Sequence, residues 1–312
     1  MTIIDRNPFL ASLNYTKGQI LTRLGLRHHF SGTTTGTITV EQSVAYIRGV
    51  VDDYIHYGAD GDLTRLRGKH VLEVGPGDNL GVALLLIAKG AETVTCIDGF
   101  DPPADAEKIR AVYCSLLDGM VPEEAARVAN TLRDGLIVDD RIRPRYRTPI
   151  EGAIRGERFD LILSRAVLEH VEDIRAGWRA MVASLRPGGE MWHKVDFRSH
   201  KYYEGIHPLY FLTIADPIWR IVSRPDPTMN RERLPFYREE LEKARSARIY
   251  YTHILDKAEI LPHAEELVGG VHYTTGDVAG VRAIRSKLAR QFRNYTDEEL
   301  LVTGIFLTAT YS

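Results

Sequence analysis

Two glycines stand two residues apart in Glu73-Val74-Gly75-Pro76-Gly77, where an apolar run beginning at His70 meets a helix-like apolar stretch from Asn79 to Ala88. Glycine at such a junction lets the backbone turn sharply and approach a ligand, and the first helical turn offers unpaired N–H groups to a polar or negative group. A carboxylate, Asp98, closes the next apolar run, Val94–Ile97. A dinucleotide turn needs a third glycine at position 80, which is Leu80, so an NAD-dependent oxidoreductase is disfavoured. No Gly-Lys-Ser/Thr follows, which excludes a phosphate-binding loop of that kind.

A second set of reactive groups follows the apolar run near 190–196: His193, Asp196, His200 and His207. Histidine or a carboxylate is the usual agent for removing a proton from a hydroxyl, so Asp196, His200 and His207 are the candidate catalytic base or acceptor-binding groups. The same three residues are too irregularly spaced across a loop to predict a metal site, and no metal is expected. His170 is read as structural. Asn230, Arg231, Arg233 and Tyr237 are candidates to clamp a polar, anionic small molecule, with a water-facing surface as the equal alternative.

The elements that must hold these groups follow from periodicity. Residues 1–60 read as an N-terminal helical extension. Thr39 and Gln42 have capping-box spacing, and apolar residues recur at Val40, Val44, Ile47, Val51, Tyr54 and Ile55 until Gly58 and Gly61. Residues 61–312 read as one domain. Strands are expected over 71–74, 94–97, 143–148, 159–164 and 190–196, and late strands over 248–254 and 304–311. Helices are expected over 79–88 with Asp78 as its cap, and over 104–118, 122–133 and 173–185. This alternation predicts an α/β fold with a doubly wound, mostly parallel seven-stranded sheet, whose ligands bind beyond the carboxyl ends of the strands. Residues 197–248, rich in aromatics and proline, break the alternation and read as an inserted acceptor pocket or lid.

Taken together, Glu73-Val74-Gly75-Pro76-Gly77, Asp98, Phe159-Asp160-Leu161-Ile162-Leu163-Ser164 with Leu168-Glu169-His170-Val171, and Leu185-Arg186-Pro187-Gly188-Gly189-Glu190 resemble four landmarks of class I S-adenosylmethionine (SAM)-dependent methyltransferases, in family order over about 70–196. The composition of 197–248 more diffusely resembles bacterial methyltransferases of glycan or natural-product pathways. The resemblance implies a Rossmann-like methyltransferase fold with SAM as cofactor. It implies that Gly75 and Gly77 let the backbone pass beside the methionine part, that Glu73 orients that part, and that Asp98 accepts from the ribose hydroxyls. It also implies that Glu151 lies near the adenine amine and that Ser164 ends its strand beside the methyl donor.

The 312 residues carry 44% hydrophobic and 26% charged residues, ordinary for a globular protein. A net charge of −2 gives no reason to expect a nucleic-acid partner, and the run Arg141, Arg143, Arg145, Arg147 reads as a solvated strand face. Cys96 and Cys114 are expected to be buried free thiols. Neither a signal-peptide pattern nor an apolar run of membrane-spanning length appears, so a cytoplasmic enzyme without membrane contact is expected. No Asn/Asp-Pro-Pro-Tyr motif of adenine or glutamine methylation and no Pro-Cys nucleophile is present. The expectation is O-methylation of a small-molecule glycan or natural-product hydroxyl. N- or C-methylation, or a SAM-binding partner module without catalysis, are the alternatives, and a homodimer is compatible with the sequence.

Overall fold

The structure is a computed structural model that describes residues 35–100, 105–199, 207–222, 229–255 and 275–312. One sheet of seven strands organises it: β1 His70–Val74, β2 Thr93–Ile97, β3 Ile142–Arg145, β4 Phe159–Arg165, β5 Leu185–Asp196, β6 Ser246–Ile254 and β7 Val302–Thr310. Their order is β3-β2-β1-β4-β5-β7-β6, with β7 antiparallel to both neighbours and the remaining pairs parallel. This is the mixed, mostly parallel sheet that the alternation predicts.

The period of two along each strand divides the core. Val71, Val94, Cys96, Leu161, Leu163 and Trp192 face helices α1 Val40–Asp53, α2 Gly81–Ala88, α3 Ala106–Asp118 and α4 Pro122–Val128. Leu72, Val74, Ile162, Met191 and Val195 face the other way, against α5 Ile150–Ala153, α6 Ile174–Ser184, α7 Asp216–Val222, α8 Leu234–Leu241, α9 Thr275–Arg285 and α10 Asp297–Leu301. Every residue of α2 is buried, which is why its sequence is apolar all round.

The Thr39–Gln42 capping box starts α1. Three expectations are corrected. Asp78 does not cap α2: both its oxygens accept from Thr35, the backbone N at 2.6 Å and Oγ1 at 2.9 Å. The helix begins at Gly81, and the Leu80 N–H instead donates to the Tyr113 hydroxyl at 2.8 Å. The helix expected over 122–133 stops at Val128, because Asp134 and Gly135, both at positive φ, turn Leu132–Arg133 back onto Leu136–Ile137. An Asp-Gly pair favours that hairpin. Cys96 is buried, but Cys114 lies exposed on α3.

The described part of 197–248 is no loose flap. Phe197, Leu209–Leu212, Ile214, Met229, Leu234, Phe236 and Tyr237 are buried and belong to the same apolar cluster as the sheet face beneath α6. Polar residues of this segment bond backbone carbonyls, most of them in neighbouring elements. Asn230 Nδ2 donates to the carbonyls of Leu168 and Val171, and Arg231 bonds Ile214 O and Asp216 while lying between the rings of Trp219 and Phe292. Arg233 bonds four carbonyls, and Tyr237 packs among Trp178, Phe197 and Phe236. The anionic clamp expected of these four residues is therefore not formed.

Candidate active site

The carboxyl ends of β1, β2, β4 and β5 make one edge. At its centre β1 leaves through Gly75 and Gly77, both in the left-handed region at φ 76° and 75°. The Gly75 N–H donates to Ile97 O at 2.8 Å, fixing the turn to β2. A Cβ on Gly75 would lie 2.2 Å from Val167 Cγ2, so the loop after β4 presses directly on this glycine. A Cβ on Gly77 would meet nothing within 4 Å, so the backbone there borders open space among the described residues. Such a cradle fits a ligand laid across the turn.

Around the turn stand two carboxyls. Asp98, at the end of β2, accepts from the Phe100 N–H at 2.9 Å. Burial pushes its carboxyl up, while the N–H groups of Phe100 and Gly77 act against that. Glu73 is buried beneath the turn, where the Cys96 thiol donates to Oε2 at 3.4 Å. Burial raises Glu73 to about 7, a single weak thiol donor opposing it and the nearby Asp98 charge adding to it.

The sign of that shift gives a test. Below pH 4.5 Glu73 is protonated folded or unfolded. Between about 4.5 and about 7 only the folded chain keeps the proton, so stability falls as pH rises through that window and levels off above it. The total is about 3 kcal/mol for a shift of this size. In urea unfolding of the ligand-free protein, Glu73→Gln is expected to match the parent near pH 4 and to exceed it by about 3 kcal/mol near pH 8. An unchanged difference between the two pH values would contradict the burial account.

Further along the edge, β4 ends at Arg165 and β5 at Asp196, with Arg165 opposite Lys194 in register. Ala166 adopts φ 54°, unusual for a residue with a side chain, and donates its N–H to Lys194 O at 2.9 Å. Asp53, the last residue of α1, bonds Arg165 and lies 3.5 Å from Lys194 Nζ. It is followed by a π-helical turn, Tyr54–Gly58, an irregularity common at functional sites. Gly58 is needed there because a Cβ would lie 2.4 Å from Trp192 Cδ2. Burial and the Arg165 charge bring Lys194 down to about 7, against the pull of Asp53 and Asp196.

Asp196 is grasped by Arg198, Oδ2 to Nη2 at 2.7 Å and Oδ1 to Nε at 3.0 Å. Burial pushes its carboxyl up, but the guanidinium holds it below the ordinary carboxylate value. His253 on β6 is buried beside it, its Nδ1 3.1 Å from Thr252 Oγ1, and burial together with the Arg198 charge lowers it to about 3. Glu169, in the turn after β4, is fully enclosed. No side chain donates to its carboxyl, and burial with the Asp196 charge nearby raises it well above the usual range, against the backbone N–H groups of Glu169 and Asp196.

The other expected site residues take different places. Ser164 is completely buried on the α6 side of the sheet, 2.7 Å from Nδ1 of His193, which burial lowers to about 3. Glu151 lies exposed on the single turn α5. His207 accepts the Leu209 N–H on its Nδ1 at 3.1 Å. His200 is outside the described residues. Sequence reading did not single out Lys194, Asp53, Glu169 or His253. The first two had a signal in the strand-end register and the helix end, but the contact spans about 140 residues and is legible only once β5 and α1 are placed.

Among the described residues no helix is long and apolar enough to cross a membrane, and no three His, Cys, Asp or Glu side chains gather as a metal-binding group. No curated protein matches the chain. Several solved structures resemble it weakly. A Haloferax volcanii methyltransferase in complex with the Trm112 activator is 15% identical, with 86% of this chain and 94% of that one covered at a TM-score of 0.40. A sarcosine dimethylglycine methyltransferase assigned in Galdieria sulphuraria is 14% identical over 95% and 97% at 0.39. Haemonchus contortus phosphoethanolamine N-methyltransferase 2, in complex with SAM, is 14% identical over 78% and 49% at 0.40. Scores of this size bear no argument about substrate. The decisive match is to a family model described as a methyltransferase domain, over residues 46–260, which takes in the glycine turn, Asp98, and the ends of β4 and β5. The chain belongs to this methyltransferase family, and its cofactor is S-adenosylmethionine.

Proposed function

We propose that the enzyme methylates a hydroxyl of a small molecule, of glycan or natural-product type, with the donor on the Gly75–Gly77 turn and the acceptor beyond the ends of β4, β5 and β6. When bound, SAM supplies a methyl group on a sulfonium centre, so the protein's task is alignment and removal of the acceptor's proton. Gly75 and Gly77 let the backbone lie beside the methionine portion, Glu73 faces that portion from below, and Asp98 takes the ribose hydroxyls. Glu151 is assigned to the adenine rim, and Ser164 fixes the end of β4 through His193. Asp196, with Arg198, orients the acceptor, and His207 borders it.

The observation that carries this reading is burial. Lys194, Arg198, His253 and Glu169 are each less than a tenth exposed, although all are polar and crowd one edge. A cluster of buried polar groups suits a small acceptor and not a polymer surface. Glu169 favours one second reading, an acceptor bearing an amine, because a buried carboxyl to which no side chain donates is matched by an N–H donor.

Turnover of SAM to S-adenosylhomocysteine, with phenols, sugars, amines and oligonucleotides offered in turn, tests the proposal. Methyl ethers formed from hydroxyl acceptors, and no methylated oligonucleotide, are expected. Methylation confined to amines would replace the first reading with the second.

A further inference from the structure

We propose that Lys194 Nζ takes the proton of the acceptor hydroxyl, with Asp53 and Arg165 positioning it; this rests on the hydroxyl reading above. Three placements support it. Lys194 lies at the carboxyl end of β5, opposite Arg165 in register and two strands from the glycine turn. Its ammonium-bearing end is gathered with Arg165 around one carboxylate, Asp53, which the end of α1 and the following π turn deliver to this edge. Exposure of the side chains rises outward from Lys194 at 8% through Asp53 at 15% to Arg165 at 18%, and Arg165 in turn lies under the exposed ring of Tyr46. The cluster therefore runs from the interior to an open side.

The neighbours decide the chemistry. Arg165 from β4 and burial disfavour the charged amine, whereas Asp53 from α1 and Asp196 from β5 favour it, and His253 from β6 stays neutral beside them. The balance leaves an amine able to hold a lone pair near neutrality, as a base for this step requires. Asp196 and His253, the titratable groups beside it, are less suited. Asp196 has both oxygens on Arg198, and His253 is too weak a base where it is buried.

In the step, the acceptor O–H bond breaks and its proton passes to the Nζ lone pair. The oxygen's freed electron pair forms the bond to the methyl carbon, and the carbon–sulfur pair returns to sulfur. The products are a methyl ether, a neutral thioether and a Lys194 ammonium facing Asp53, which releases its proton to water. Asp53 thus holds the charge that forms, and Arg165 keeps it from forming early.

The test compares wild type with Lys194→Met on phenol and on 4-nitrophenol, an acceptor that ionises readily by itself. Removing a base should reduce kcat on phenol by about a hundredfold or more. The deficit on 4-nitrophenol should be under about tenfold, with S-adenosylhomocysteine affinity unchanged. Equal losses on both phenols, or none, overturn the proposal while the hydroxyl reading stands. Methylation of amines alone overturns both. A second readout needs no turnover: in protein carrying 13C-labelled lysine, the Lys194 resonance should titrate near pH 7, upward in Arg165→Gln and downward in Asp53→Asn. Titration together with the surface lysines overturns the role of the cluster.

Discussion

Gly75→Ala is expected to abolish binding of S-adenosylhomocysteine and to destabilise the fold by about 2–4 kcal/mol. Two costs coincide at this position. An alanine at φ 76° is strained by about 1–2 kcal/mol, and its Cβ would stand 2.2 Å from Val167 Cγ2 and 2.8 Å from Cγ1. Val167 has a short, stiff side chain in the loop leaving β4, so relief must come from backbone movement. That movement shifts Ala166, whose N–H is tied to Lys194 O, and so spreads from the donor turn to the acceptor edge. Gly77→Ala is the control. Its φ of 75° carries the same strain but its Cβ meets nothing within 4 Å, so the fold should lose only about 1–2 kcal/mol while donor binding falls because the methyl enters the open cradle. Urea unfolding and calorimetric titration of both variants check this. Equal destabilisation by the two alanines would contradict the role given to Val167.

Arg233→Met is expected to cost about 3–5 kcal/mol of folding stability. The guanidinium is wholly buried, yet its bonds go to carbonyls: Phe197 O at 3.2 Å, Glu299 O at 3.4 Å, Leu300 O at 3.2 Å and Val302 O at 2.9 Å. Burial lowers it to about 10, so it remains a cation at neutral pH. It stands at the carboxyl end of α10, where the helix dipole is negative, and ties that end and the start of β7 to the chain leaving β5. Methionine fills much of the volume but leaves the carbonyls without their donor. Arg233→Lys, which keeps the charge and loses the fork, should fall between the two. A loss below about 1 kcal/mol for Arg233→Met in urea unfolding would show that the carbonyls find other donors.

The fold was legible wherever the pattern is local. The period of two in β1, β2 and β4, the capping box of Thr39 and Gln42, and the glycine pair each depend on a few neighbouring residues. Boundaries failed where a distant contact or a turn overrode the local pattern. Asp78 is a good helix cap by type, but Thr35 claims both its oxygens from 43 residues away. The hairpin at Asp134-Gly135 was hidden because apolar residues on either side also fit a helical stripe. In 197–248, arginines and asparagine suggested a ligand clamp, since sequence does not tell a cation bound to carbonyls from one awaiting an anion. The donor side of the site rests on one contiguous turn and a strand end, and it was visible. The Asp53–Arg165–Lys194 cluster joins three elements distant in sequence, and no local pattern brings the three together.

Calorimetric titration of wild-type protein with S-adenosylhomocysteine, alongside Asp98→Ala and with NAD as the control ligand, tests the central claim most directly. The account predicts one molecule bound per chain by wild type, at least about tenfold weaker binding by Asp98→Ala through loss of a charged hydrogen-bond acceptor, and no heat from NAD. No binding of S-adenosylhomocysteine by folded wild-type protein, or binding that Asp98→Ala leaves untouched, would contradict it.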